Sequence, residues 1–114
     1  MGKGKHLGEF EEVVLLAVAR LDGDGHGASI HEEILETTGR DVSIAAVYVT
    51  LSRLDEKGYL KTGVELAGEE RGGRPRKTFA LTDGGIAELQ RSRMVQARLW
   101  DGLPFDPLAV EDAP

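Results

Sequence analysis

The 114-residue sequence contains no cysteine, which excludes disulfide bonds, thiolate metal sites and thiol catalysis. Aromatic residues are rare as well, at 5% of the chain, and Trp100 is the single tryptophan. Long apolar runs are missing, because the stretch from Val13 to Ala19 is ended by Arg20 and Asp22, short of the roughly 18 residues that cross a bilayer. The sequence therefore predicts one small domain without a membrane segment, and we expect a cytoplasmic location.

The side chains that most often perform catalysis are also few. The chain has three histidines, and His26 and His31 lack the spacing of a helical two-histidine zinc site. Glu32 and Glu33 lie beside His31, but this cluster is typical of a solvated helix face rather than of an acid–base pair. There is no nucleophile elbow either. We therefore expect no enzymatic activity, no metal ion and no cofactor.

Acidic side chains are in excess, and the formal net charge is −6. The excess is uneven, because the segment from Arg71 to Lys77 contains four cations and no acid, whereas the chain after Trp100 contains acids and no cation. An acidic chain with one concentrated basic segment is typical of a protein that contacts DNA with one face and itself with another.

The first part of the sequence predicts two helices. Residues from Glu9 to Leu21 have acids in the first turn, where the helix dipole favours them, and apolar side chains nearly all round. Such a helix must be buried on more than one side. A shorter helix is predicted over residues 28–38, with Ser29 as its N-cap, Glu32 at the capping-box spacing and Gly39 at its end.

The third predicted helix begins after the N-cap Ser43, ends at Gly58, and completes a helix-turn-helix unit with the second. Its predicted buried stripe is Ile44, Val47, Leu51 and Leu54. Its opposite face carries Ala45, Val49, Ser52 and Arg53, and Tyr48 and Thr50 flank the stripe. Such small side chains allow close approach to a DNA groove, where they contact thymine methyls while the first amides contact a phosphate. An ordinary solvent face is the alternative for this segment alone.

A β-hairpin is predicted next, with strands from Tyr59 to Val64 and from Thr78 to Leu81. Gly72 and Gly73 let the loop backbone approach DNA, and Pro75 stops the strand pairing. The cations that can bind phosphates or enter a narrow minor groove are Arg71, Arg74, Arg76 and Lys77. A basic hairpin directly after such a capped helix favours DNA binding over a merely solvated loop.

The last predicted helix follows the N-cap Thr82 and ends at Trp100. Its apolar residues have no partner left in the chain except the first helix, which also needs a second cover. We therefore expect a homodimer, with interface residues Phe10, Leu15, Leu16, Ile86, Leu89, Val95, Leu99 and Trp100. The remainder, Asp101 to Pro114, has three prolines and four acids and is expected to be a mobile tail.

These elements together predict an α+β fold, mostly α, of the winged helix-turn-helix type with a C-terminal dimerisation helix. The expected organisation is a flexible N-terminal lead over residues 1–8, a DNA-binding domain over 9–81, the dimerisation helix over 82–100 and the acidic flexible tail over 101–114.

Several segments resemble the PadR family of bacterial transcriptional regulators, in the family's order along about residues 7–100. They are Leu7 to Ala17, Ser43 to Tyr48, Leu51 to Gly58, Arg71 to Lys77 and Phe79 to Gly84. One departure is the segment His26-Gly-Ala-Ser29, where relatives often have Tyr-Gly-Tyr-Glu. The resemblance implies a winged-helix dimer, paired by its C-terminal helix, that usually represses transcription from a palindromic operator.

The resemblance also implies particular contacts. The family pattern carries over at Tyr48, Thr50 and Arg53 of the third helix and at Gly73, Arg74 and Arg76 of the wing. The chain has one helix after the wing, like the short members, some of which bind aromatic drugs between subunits. Trp100 could thus stack on a small aromatic effector, but an interface anchor is favoured, because tryptophan is enriched at interfaces in general. A winged-helix module that contacts other proteins is the alternative to double-stranded DNA as partner.

Overall fold

The computed structural model describes residues 6–66 and 74–110. The elements, in chain order, are helices α1 (Glu9–Leu21), α2 (Gly27–Thr38) and α3 (Ile44–Glu56), strands β1 (Leu60–Glu65) and β2 (Arg76–Leu81), and helix α4 (Asp83–Trp100). The two strands pair antiparallel. This order confirms the predicted α+β, mostly helical class and the winged helix-turn-helix architecture. None of the helices in the described part of the chain is long and apolar enough to cross a membrane.

Helices α1, α2 and α3 surround one apolar core. The side chains with at most 1% exposure come from all three helices and are Val14, Leu15, Val18, Ile30, Ile34, Val47, Leu51 and Leu54. The base of the hairpin closes the core with Tyr59, Leu60 and Phe79. Each fully buried aliphatic side chain stabilises the fold by about 1.5–3 kcal/mol, so these residues fix how the helices sit on one another.

Three side chains lie in environments that the sequence did not predict. Leu15 is 0% exposed, so its assignment to the dimer interface is wrong: α2, α3, β2 and α4 of the same chain already cover α1. Thr50 is 5% exposed, which places it in the core rather than on a DNA-contacting face. Ile44, expected in the buried stripe, is 42% exposed, because as the first residue of α3 it extends past the edge of the core.

Two of the predicted helix starts are confirmed by hydrogen bonds. The N–H of Ala46 donates to Oγ of Ser43 at 3.0 Å, and the N–H of Gly85 donates to Oγ1 of Thr82 at 3.0 Å. At the other end of α3, Gly58 has φ of 83°, a left-handed conformation that glycine adopts without strain. Both limits of α3 and the start of α4 are therefore set locally, as the sequence indicated.

The predicted N-cap of α2 is wrong. The helix already begins at Gly27, after His26, and Oγ of Ser29 accepts the N–H of His26 at 3.0 Å. Ser29 thus occupies the third helical position and reaches back to the cap, as the Glu or Gln of a capping box does. The Ser-x-x-Glu spacing that suggested a later start does not set this end of the helix.

Described residues before α1 and after α4 also make contacts. Nζ of Lys57 donates to the carbonyl oxygen of His6 at 3.0 Å. Residues 101–110 contain no helix or strand, and the ring of Phe105 meets Trp100 edge-on, with centroids 6.4 Å apart and an interplanar angle of 81°. The predicted domain boundaries, including the lead and the tail, stay predictions.

Helix α4 is anchored at its first turn. The N–H of Thr82 donates to the carbonyl oxygen of Tyr59 at 3.1 Å, and Oγ1 of Thr82 donates to the carbonyl of Gly58 at 2.7 Å. Gly85 is buried against the carbonyl group of Tyr59. A Cβ built on Gly85 would overlap the carbonyl oxygen of Tyr59 and lie 3.2 Å from its carbonyl carbon. The helix therefore rests directly on the backbone that joins α3 to β1.

We expect Gly85→Ala to lower the free energy of unfolding by about 1–3 kcal/mol, because the methyl group would push against backbone that cannot easily move. Urea unfolding followed by circular dichroism measures this change. Gly84→Ala is the matched control, since its Cβ would meet nothing nearer than Oγ1 of Thr82 at 3.6 Å. Alanine also favours a helix by about 1 kcal/mol over glycine, so the control should be neutral or more stable. Equal destabilisation of both variants would contradict the proposed packing.

Candidate nucleic-acid interface

Helix α3 presents one continuous exposed face. Ala45, Ser52 and Arg53 are exposed on it, together with Val49 at 53% and Tyr48 at 52% exposure. The sequence assigned Ala45, Val49, Ser52 and Arg53 to this face and placed Tyr48 beside the buried stripe. Hydrogen-bonding groups on it are few, because alanine and valine side chains carry none; Ser52, Arg53 and Tyr48 supply them.

The start of α3 is held by a hydrogen bond that the sequence did not reveal. Nε2 of His31, on α2, lies 2.6 Å from the carbonyl oxygen of Val42, so that the imidazole N–H donates across the turn between the two helices. Ser43 follows directly and caps α3. Sequence reasoning assigned His31 to a solvated face, because a partner eleven residues away leaves no periodic signal. His31 thus fixes the turn of the helix-turn-helix just before α3.

The hairpin of β1 and β2 is the wing, and two of its cations are engaged on the hairpin itself. The strand register pairs Glu65 with Arg76, and Nε of Arg76 donates to Oε1 of Glu65 at 2.6 Å. The ammonium group of Lys77 lies 5.6 Å from the ring centre of Phe79, a cation–π contact. Both cations are therefore directed along the wing surface and remain at least partly exposed.

The other predicted wing residues lie toward the hairpin loop. Arg74 is exposed and precedes β2, so that three of the four predicted cations lie together at the loop end of the strand. Arg71 and Gly73 fall within residues 67–73, outside the part of the chain that the structure describes. Their contacts with DNA stay predictions.

The wing and α3 are attached to the same core. Phe79 is 5% exposed, and its N–H donates to the carbonyl oxygen of Gly25, in the loop between α1 and α2, at 2.9 Å. Tyr59 and Leu60 anchor the other strand among the buried side chains. The exposed face of α3 and the cations of the wing are thus presented with a fixed relative geometry.

The C-terminal end of α3 is joined to α1 by a largely buried charged contact. Oε1 of Glu11 accepts hydrogen bonds from Nζ of Lys57 at 2.8 Å and from the N–H of Gly8 at 2.8 Å. Burial raises the pKa of the Glu11 carboxyl, but these two bonds and the charges of Lys57 and Arg53 outweigh it and hold the pKa below its usual 4.5. Lys57 therefore neutralises an internal acid.

Other cations away from the wing are also paired with acids. Arg20 lies 2.6 Å from Glu33, and Arg40 lies 2.6 Å from Glu9. Across residues 6–66 and 74–110, no group of histidine and carboxylate side chains is arranged to hold a metal ion.

These features define a winged helix-turn-helix protein, in which a capped helix and a basic hairpin are mounted on one core. Residues 15–91 match the sequence profile of the transcriptional regulator PadR-like family, and the chain belongs to that family. The resemblance noted from the sequence segments is thereby confirmed. No curated protein matches the chain.

Solved structures share the fold. A PadR family regulator from Eggerthella lenta is 24% identical with a TM-score of 0.64, over 82% of this chain and 81% of that one. A PadR family regulator from Clostridium difficile is 20% identical with a TM-score of 0.67, over 82% and 92%. PadR of Bacillus subtilis, solved in complex with operator DNA, is 22% identical with a TM-score of 0.61, over 90% of this chain and 54% of that one.

The contact between Glu11 and Lys57 generates a pH-dependent prediction. Because the pKa of the Glu11 carboxyl is lower in the folded chain than its usual 4.5, its stabilising contribution is complete above that value and is lost as the pH falls through the folded pKa. We expect Glu11→Gln to cost about 1–2 kcal/mol at pH 7 and progressively less below pH ~4.5. Urea unfolding at several pH values measures this.

Glu36→Gln is the control, since Glu36 is an exposed acid on α2 and its loss should have little effect at any pH. A cost for Glu11→Gln that stays constant down to pH ~3 would contradict the role of the charged carboxylate.

Proposed function

We propose that this chain is a sequence-specific DNA-binding transcriptional regulator that acts as a homodimeric repressor on a palindromic operator. The observation that carries the proposal is that the exposed face of α3 and the cations of the wing are mounted on the same core. Membership of the PadR-like family of transcriptional regulators, and the solution of one structural neighbour with operator DNA, support it.

In the proposed complex α3 enters the major groove. Ala45 and Val49 lie against the groove floor and contact thymine methyl groups, while Ser52, Arg53 and Tyr48 form the hydrogen bonds. The first amides of α3, next to Ser43, bind a phosphate. Thr50 takes no part, because its side chain is buried.

The wing supplies the less specific part of the affinity. Arg74, Arg76 and Lys77, with Arg71 beyond the described residues, contact phosphates or an adjacent minor groove, and Gly73 permits close backbone approach. Few groups on α3 can read bases, so specificity must gain from two copies acting together. In a two-fold symmetric dimer the recognition helices would meet successive major grooves about 34–36 Å apart.

The state of α4 supports the homodimer. Glu88, Leu89 and Ser92 are half-buried, whereas every residue from Arg93 to Trp100 is exposed. The last eight of its 18 residues, in a helix that spans about 27 Å, are therefore largely accessible to a second chain. The exposed apolar side chains proposed to meet a second copy are Leu16, Ile86, Val95, Leu99 and Trp100, with the half-buried Phe10 and Leu89 at the edge.

Binding to DNA is tested by selecting fragments from a random pool at defined salt, where we expect a palindromic consensus. With the selected site, Arg74→Ala combined with Arg76→Ala should reduce the slope of log affinity against log salt by up to about 0.9 for each phosphate that is no longer neutralised. Arg20→Ala, which removes a cation on α1 paired with Glu33, is the control and should leave the slope unchanged.

No consensus, or an affinity that does not respond to salt, would reject DNA binding. If the wing cations then prove dispensable while a protein partner is retained, the chain is a protein-interaction module, the alternative that its acidic net charge suggests.

Dimerisation makes a separate prediction. Leu99 is 71% exposed on α4, and an aspartate there would bury a charge in the proposed interface. We expect Leu99→Asp to be monomeric at micromolar concentration by analytical ultracentrifugation and to bind the palindrome at least ~10-fold more weakly. Leu35→Asp, at a leucine 41% exposed on α2, should stay dimeric. A wild-type chain that sediments as a monomer would reject the interface.

We also propose a small aromatic effector that binds beside Trp100. An open recess of about 640 Å³ is lined there by Met94, Leu103, Phe105 and Pro107, among others. Trp100 is the single tryptophan, so its fluorescence reports directly on a ligand that stacks on it. Titration with planar aromatic compounds should quench the emission; unchanged emission across a broad set would leave Trp100 as an interface anchor.

A further inference from the structure

One contact joins the exposed face of α3 to the start of α2. Tyr48 is 52% exposed, yet the outer end of its ring lies on Gly27, the first residue of α2. A Cβ built on Gly27 would lie 2.5 Å from Cε1 of Tyr48 and closer still to Cζ and the hydroxyl oxygen, whereas real Cβ contacts essentially never fall below 3.0 Å. An L-amino-acid side chain at position 27 and the observed ring position therefore exclude one another.

The backbone does not require glycine at this position. Gly27 is helical and is not among the residues with positive φ, in contrast to Gly39 and Gly58. Alanine would favour the helix by its intrinsic propensity. The ring of Tyr48 is the neighbour that leaves no room for a side chain.

The ring of Tyr48 can move to another position if a side chain is added at Gly27. The clash would involve the outer end of the ring, and about half of Tyr48 faces solvent. Rotation about its two side-chain bonds would therefore move the phenol away without disturbing the core. A methyl group at position 27 should therefore leave the fold intact and displace Tyr48. Gly27 and Gly85 differ in this respect, because Gly85 faces backbone.

We propose that Gly27 is a positioning residue for DNA recognition. Because Gly27 has no side chain, it leaves a space on α2, the seat, in which the phenol of Tyr48 is held in one orientation beside Val49 and Ser52. This inference rests on the proposed function, since it assigns the seated phenol to the DNA contact. A seated side chain loses less rotational freedom when DNA binds, which increases affinity. Gly27 touches no DNA itself in this scheme.

The test is a double-mutant cycle on the selected DNA site, with wild type, Gly27→Ala, Tyr48→Ala and the double variant. We expect Gly27→Ala to weaken binding about three- to tenfold with an unchanged or higher melting temperature. In the Tyr48→Ala background the same change should cost nothing, because no ring is left to displace. Gly84→Ala, a helical glycine near the start of α4 with ordinary contacts only, is the control and should bind as wild type.

Equal losses in both backgrounds would show that position 27 acts independently of Tyr48 and would overturn the inference. So would undiminished binding by Gly27→Ala, since the orientation of the ring would then not matter to DNA.

A measurement without DNA separates this inference from the proposed function. In the free wild-type protein, nuclear Overhauser effects should connect the Gly27 α-protons with the ring protons of Tyr48, and in Gly27→Ala they should disappear. Their absence from the wild type would remove the seat and overturn the inference even if DNA binds. If the wild type shows these Overhauser effects but binds no DNA, the seat exists but the proposed function is wrong. The role of the seat in DNA recognition is then rejected as well.

Discussion

The burial of helix α1 is the constraint on which the rest of the structure depends. α2, α3, α4 and β2 all pack against it, and Val14, Leu15 and Val18 are at most 1% exposed. Because protein interiors are packed to crystal-like density, a displacement of α1 would shift α3 and the wing together. Two hydrogen bonds, between Lys57 and Glu11 and between Phe79 and Gly25, then orient α3 and the wing around this central helix.

Much of this architecture could be predicted from local sequence signals. Ser43, Thr82 and Gly58 mark helix limits through chemistry confined to a few neighbouring residues, and the small residues of α3 reveal its exposed face by their spacing. The periodicity of a helix gives the angles between its side chains around the helix axis. It does not show which neighbouring element covers which side of the helix. This is why Leu15 was expected to meet a second subunit, and why Thr50 and Ile44 were assigned to the wrong environments.

The contacts that the sequence could not reveal join residues far apart in the chain. His31 bonds to Val42 across the helix-turn-helix, and Gly27 makes room for Tyr48; neither pair has a recurrent spacing. Arg71 and Gly73 remain sequence predictions. The wing also contains an acid, Glu65, opposite Arg76, and this pairing depends on a hairpin register that alternation, with its period of two residues, does not fix alone.

The ion pair between Glu65 and Arg76 has a consequence for the thermodynamics of the wing. A solvated arginine that meets a phosphate frees mobile salt ions from the DNA, and the entropy of those ions drives binding. Arg76 already has a counter-ion in Glu65 of the same chain, so in the proposed DNA complex it would first have to leave this carboxylate, and the acid would stay beside the polyanion. Part of the attraction between this one cation and DNA would thereby be cancelled, and tight binding would depend more on the fit of α3.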